Sequence, residues 1–180
     1  FFLQFSLTFY WRCFILFSLI FAHIRRPPPF CSKRFQVEAN GVTVFNCLCH
    51  CSVCRRISGA PVSHFIGFPI DAVNLLREGK VVDDVAAEAG VLAYSTSDHL
   101  VRYSCARCSS PLFSHSSMEA FPFRDVAVGI LDRSDPAVLP PKPAVHIFYV
   151  DRIMDLPDAL PKFVGFPGMS ELYKDDDDDA

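Results

Sequence analysis

The sequence predicts a mainly β domain, on three observations. Short runs that alternate polar and apolar residues recur along the chain between Gly, Asn and Pro positions. No long amphipathic helix, internal repeat, heptad or glycine-rich phosphate loop interrupts them. Apolar residues make up 51% of the 180 positions, with 18 Phe among them, enough for one real core and too little for a second domain.

Taken in order, Arg34-Phe35-Gln36-Val37 alternates as a half-buried strand does. Ala39-Asn40-Gly41 supplies a turn, and Val42-Thr43-Val44-Phe45 resumes a strand that ends in a loop of cysteines. His64 to Phe68 reads as a buried strand broken at Gly67. A short helix is expected from Asp71 to Arg77, with Asp71 capping its first turn and Glu78-Gly79-Lys80 ending it. Strands follow at 91–95, at 99–104 leading into Cys105, at 125–131 and at 146–150. Pro136, Pro140, Pro141 and Pro143 mark a loop before the last of these, because proline cannot donate to a sheet ladder. The stretch 164–180 is rich in Gly, Pro and Asp and is expected to be a disordered acidic tail.

The cysteines carry the chemistry. Four of eight, Cys47, Cys49, Cys51 and Cys54, fall within eight positions, and Cys105-Ala106-Arg107-Cys108 forms a second group. A disulfide needs Cα atoms roughly 4.4–6.8 Å apart with a set torsion, which Cys49 and Cys51 meet only through a cramped ring. Cys-x-Cys-x-x-Cys, by contrast, needs one tight loop to aim three sulfurs at a common ion, and Cys-x-x-Cys has the spacing of a zinc knuckle. Zinc is the expected ion, with disulfides, unpaired thiols or an iron–sulfur cluster as the alternatives. Three protein ligands are the arrangement of a catalytic zinc with an open position. The pair Cys105 and Cys108 needs further donors, for which Cys31 is the natural choice and Cys47, Cys13 or a histidine would also serve. The competing arrangement is one closed site made from two of the first three cysteines with Cys105 and Cys108.

Net charge is −3 and the pI is about 6.0, with acid concentrated at Asp175 to Asp179. Arg25-Arg26 and Arg55-Arg56 are too short to line a phosphate groove, so nucleic acid is not an expected partner. Thiolate–zinc chemistry without a disulfide pattern belongs in a reducing compartment, which predicts the cytoplasm. Residues 1–24 are almost wholly apolar, broken by Gln4 and Arg12, and lead through Arg25-Arg26 into Pro27-Pro28-Pro29. A spanning helix needs about 20 apolar residues, so a membrane contact is expected only through this stretch. The chain opens on Phe, and residues 1–30 read as an anchor, a fragment or a misjoined coding segment ahead of the domain.

Cys49-His50-Cys51-Ser52-Val53-Cys54-Arg55-Arg56 with Ser58-Gly59-Ala60-Pro61 resembles the first signature of the glutathione-dependent formaldehyde-activating enzyme family, which includes centromere protein V. Tyr94-Ser95, Arg102-Tyr103-Ser104-Cys105-Ala106-Arg107-Cys108 and Pro111-Leu112 resemble the second. Val128 to Asp132, His146-Ile147-Phe148 and Leu160-Pro161-Lys162-Phe163 follow in the family's order, so the resemblance spans 31–163. It implies a β-tent of antiparallel sheets, a three-cysteine catalytic zinc on Cys49, Cys51 and Cys54, and a four-cysteine structural zinc of which Cys105 and Cys108 are half. The family's other half is an upstream Cys-x-Cys; here only Cys31 stands there, so one ligand is missing. Ser109 replaces the family's usual glycine, which is strained if its backbone is left-handed. The implied activity is that of a carbon–sulfur lyase, joining formaldehyde to glutathione to give S-hydroxymethylglutathione. Arg55 and Arg56 are candidates to pair with a glutathione carboxylate, although a solvated charge pair explains them as well. His50 is expected to point outward or to support the loop rather than act as a base. The rival reading is a non-catalytic zinc module that binds another protein, as centromere protein V does.

Overall fold

A computed structural model describes residues 24–25, 35–131 and 142–174. Along these the elements run β1 (Ile24–Arg25), β2 (Phe35–Ala39), β3 (Phe45–Cys49), α1 (Ser52–Ser58), β4 (Ser63–Phe68), β5 (Val73–Arg77), β6 (Lys80–Val81), β7 (Val91–Ser97), β8 (Leu100–Cys105), β9 (Pro111–Ser116), β10 (Phe123–Ala127) and β11 (Val145–Ile147). The fold is mainly β, as the sequence predicts. Two sheets form, one in the order β1-β2-β5-β6 and one in the order β11-β3-β4-β10-β9-β8-β7. Among the described residues every pairing of two named strands is antiparallel except that of β11 with β3.

Alternation builds two cores on the two faces of the larger sheet. In β2, Phe35, Val37 and Ala39 are buried while Gln36 and Glu38 are not. They join Val73 and Leu75 of the smaller sheet and Ile66, Phe68, Leu112, Phe113 and Val126 of the larger one in a single apolar cluster. On the opposite face Phe45, Cys47 and Cys49 of β3 pack with Phe123, Val145, Ile147 and Cys54. Phe45 meets Phe123 edge-on, with ring centroids 4.9 Å apart. The cysteines are therefore part of a hydrophobic core, which shuts bulk water out from behind them.

Several sequence expectations are corrected. The cysteines do not share one loop: Cys47 and Cys49 lie in β3, which ends at Cys49, Cys51 lies in the short link that follows, and Cys54 lies in α1, which begins at Ser52. Cys51 caps that helix with its own sulfur, which accepts from the Cys54 N–H at 3.3 Å, and Gly59 ends it with φ +67°. The helix expected at Asp71–Arg77 is a single 3-10 turn, Ile70–Ala72, followed by a strand. Burial of Val73 and Leu75 against β2 outweighs the Asp71 cap, and Glu78 and Gly79, both at positive φ, make the tight hairpin into β6. Gly67 does not break β4; it pairs with Phe45, whose ring lies where a Cβ would stand. The expected strands at 125–131 and 146–150 are shorter and pass into 3-10 turns, Val128–Ile130 and Tyr149–Asp151. Strand β9 was not foreseen, because Pro111 masks its start, a position where proline costs no ladder bond.

Residues 164–174 are not a disordered tail. Val164 N donates to Glu171 O at 3.1 Å, Tyr173 N to Lys162 O at 2.8 Å, and the Tyr173 ring lies 5.3 Å from that of Tyr149. Phe163 and Phe166 supply the apolar burial that the Gly and Pro content of this stretch conceals. Residues 175–180 lie outside the described residues, as do Cys13, Cys31 and the apolar stretch 1–23. Among the described residues no helix is long and apolar enough to cross a membrane.

Candidate metal centre

Three consecutive elements bring three sulfurs together. Cys49 ends β3, Cys51 caps α1, and Cys54 sits one turn into that helix on its buried side. Their Sγ atoms all lie within 4.8 Å of one another. Tetrahedral Zn–S bonds of about 2.3 Å would set the sulfurs about 3.8 Å apart, so a small closing movement suffices to fit the ion. The donor set fits as well: Cys49 and Cys54 are buried, and all three sulfurs border one cavity of 330 Å³.

Electrostatics distinguish the three. Hydrogen bonds from the Cys49 and Cys54 thiols, helped by the backbone N–H groups of Cys54 and Val53, hold the Cys51 thiol far below its ordinary range. The complementary bond to Cys51 pushes Cys49 up, and burial adds to it. Cys51 is therefore the most readily ionised of the three. A soft cation would draw the remaining protons off.

Three further charged residues border the cavity: Arg102, Asp125 and the exposed Asp151. Arg102 of β8 donates from Nη2 to Cys54 Sγ at 3.3 Å and from Nη1 to Ser114 Oγ at 3.4 Å, and lies over the Phe65 ring. Asp125 of β10 is 7% exposed, and burial raises its carboxyl to about 6 against the lowering effects of Arg102 and Ser114. Arg102 stands 48 residues beyond Cys54, so only the sheet order brings it to the cluster. Asp125 follows Arg124 in a short strand, and nothing in the sequence set it apart as a site residue.

Behind the cluster His50 points inward. Its Nε2 lies 2.8 Å from His146 Nδ1, and His146 Nε2 lies 3.0 Å from both carboxylate oxygens of Asp158. Since the carboxylate can only accept, His146 carries its proton on Nε2 and accepts from His50. His50 is 1% exposed and His146 0% exposed, and burial lowers His50 to about 4, so it stays neutral and braces the loop. Arg55 turns back to the same loop, donating from Nε to His50 O at 3.1 Å, while Arg56 is exposed. Neither arginine borders the cavity; Arg102 does.

Cys47 lines the same cavity from β3, and burial raises its thiol well above the ordinary value. It stands on the first cluster's side and outside the three-sulfur group. Cys105 and Cys108 also stand outside that group, so the competing shared site does not form among the described residues. Their turn is closed by Ser109 N to Cys105 O at 2.8 Å, and Ser109 adopts φ +56°, the strained left-handed case. Of the other histidines, His64 bonds Asn46 and His115 accepts from Arg124.

No curated protein matches the chain at a significant level. A family model described as glutathione-dependent formaldehyde-activating enzyme matches residues 30–151, a span that contains all three sulfurs, Arg102 and Asp125. The order of motifs and the three-sulfur centre agree with that match, and the chain belongs to the family of glutathione-dependent formaldehyde-activating enzymes.

Proposed function

We propose that this chain is a zinc-dependent enzyme of the carbon–sulfur lyase class, joining an aldehyde to a small thiol of the glutathione type. The observation that carries this reading is the opening of three clustered sulfurs onto a 330 Å³ cavity that Arg102 and Asp125 also line. A closed structural site would have no use for such a cavity. Zinc held by Cys49, Cys51 and Cys54 would supply a site for the substrate sulfur as thiolate, or polarise the aldehyde oxygen.

The chain's own residues do the rest. Phe45, Phe123, Ile147 and Phe148 give the cavity an apolar wall, and charge interactions against that wall are less screened than in water. Asp125, with its carboxyl near 6, takes the thiol proton and returns it to the carbonyl oxygen as the carbon–sulfur bond forms. Arg102 keeps positive charge beside Cys54 while negative charge moves from sulfur to oxygen. The second zinc belongs to Cys105 and Cys108, with Cys31 as a further donor. The cytoplasm is the proposed compartment, because a cluster of unpaired thiols suits a reducing environment.

The test is an NMR assay of formaldehyde consumption with glutathione, using zinc-loaded protein. Acceleration over the uncatalysed reaction that Cys51→Ser abolishes is the expected result. Failure with formaldehyde and with every other aldehyde and thiol pair would overturn the enzyme reading in favour of the zinc interaction module.

A further inference from the structure

A second cavity, of 740 Å³, adjoins the first, and Cys54, Phe65, Arg102 and Asp125 line both. These four residues form the wall common to both spaces. The chamber is far larger than formaldehyde requires, since a molecule of that size class takes up only about 30 Å³. Its remaining lining is dominated by apolar and aromatic groups, among them Val62, Tyr103, Leu112, Phe113 and Ile130. Tyr94, 66% exposed, and Ile57, 50% exposed, are also among its lining residues and give it an apolar mouth.

Charge decides what the chamber fits. Among the described residues its only charged side chains are Arg102 and Asp125, both in the shared wall, because burial lowers His64 to about 4 and keeps it neutral. The body of glutathione carries two carboxylates and an ammonium, and beyond that wall the chamber offers them no charged partner, only the hydroxyls of five serines and two tyrosines and the neutral His64 ring. An apolar body with one polar end fits instead: apolar walls around a few convergent polar groups are the usual build of a small-molecule site.

We propose that the 740 Å³ chamber binds the apolar tail of an aromatic or medium-chain aldehyde, with its carbonyl at Cys54, Arg102 and Asp125 and the thiol arriving from the cluster cavity. This rests on the carbon–sulfur reading above and names its substrate class. The thiol S–H and the carbonyl π bond break, the S–C bond forms, and the proton ends on oxygen, so no oxidant or reductant is needed.

The experiment uses zinc-loaded full chain and benzyl alcohol, an unreactive mimic of benzaldehyde. Calorimetric titration should show saturable binding that Val62→Trp weakens about tenfold or more and that Tyr94→Ala, at the exposed mouth, weakens severalfold. In turnover with glutathione, Val62→Trp should lower the ratio of kcat/KM for benzaldehyde to that for formaldehyde by about tenfold or more. Binding that these variants weaken supports the chamber even if no aldehyde is turned over, in which case the carbon–sulfur reading fails alone. Formaldehyde turnover without benzyl alcohol binding, or with an unchanged ratio in Val62→Trp, overturns the chamber and leaves that reading standing.

Discussion

Asp125 and the three cysteines show what a residue's neighbours do to its chemistry. Burial raises the Asp125 carboxyl to about 6, above its unfolded value, so between roughly pH 4 and 6 the folded chain holds a proton the unfolded chain has lost. Its contribution is fully present below pH 4 and is lost as pH rises through 6. Asp125→Asn removes that loss: relative to the parent it should gain about 1–3 kcal/mol across this window and hold the gain at pH 7. Urea titrations at fixed metal content from pH 4 to 7.5 measure this, and a difference that does not change with pH would contradict the assignment. Cys49, Cys51 and Cys54 were legible from spacing alone, because chelation by one loop is a local property. Arg102 and Asp125 were not, because they reach the site only when β8 and β10 take their places in the sheet.

At the scale of elements, local signals misled where tertiary burial prevailed. Asp71 reads as a helix cap, yet Val73 and Leu75 are worth more buried against β2 than on an isolated turn, and the segment becomes β5. Gly67 reads as a break, yet it marks the close approach of Phe45 across β3 and β4: a Cβ there would lie 2.1 Å from the Phe45 ring. Gly67→Ala should therefore cost about 1–3 kcal/mol, readable as a lower urea midpoint, and a neutral result would show that the ring can move aside. The Cys105–Cys108 turn carries the opposite case. Ser109 is left-handed at φ +56°, so Ser109→Gly should stabilise the chain by about 0.5–1 kcal/mol. Loss of stability in that variant would mean that the serine side chain contributes more than its backbone strain costs.

Across the whole molecule, one larger sheet carries two cores with different tasks. The core shared with the smaller sheet is aliphatic and aromatic throughout and serves stability. The opposite face mixes phenylalanines with Cys47, Cys49 and Cys54, so the metal centre is cast into a core rather than hung on a mobile loop. The overall class was legible because alternation and turn residues report it strand by strand. The structured stretch 164–174 was not, because its order comes from Phe163, Phe166 and Tyr173 folding back over β11 and its neighbours, which composition cannot reveal. Chemistry at an open zinc position requires the three-sulfur group to be a centre of its own, separate from Cys105 and Cys108. Elemental analysis of zinc per purified chain tests this most directly, on the parent and on a variant with Cys49, Cys51 and Cys54 all changed to Ser. About two zinc ions falling to about one is the predicted result. A single zinc lost altogether in the variant would mean one shared structural site and would contradict a separate three-sulfur centre.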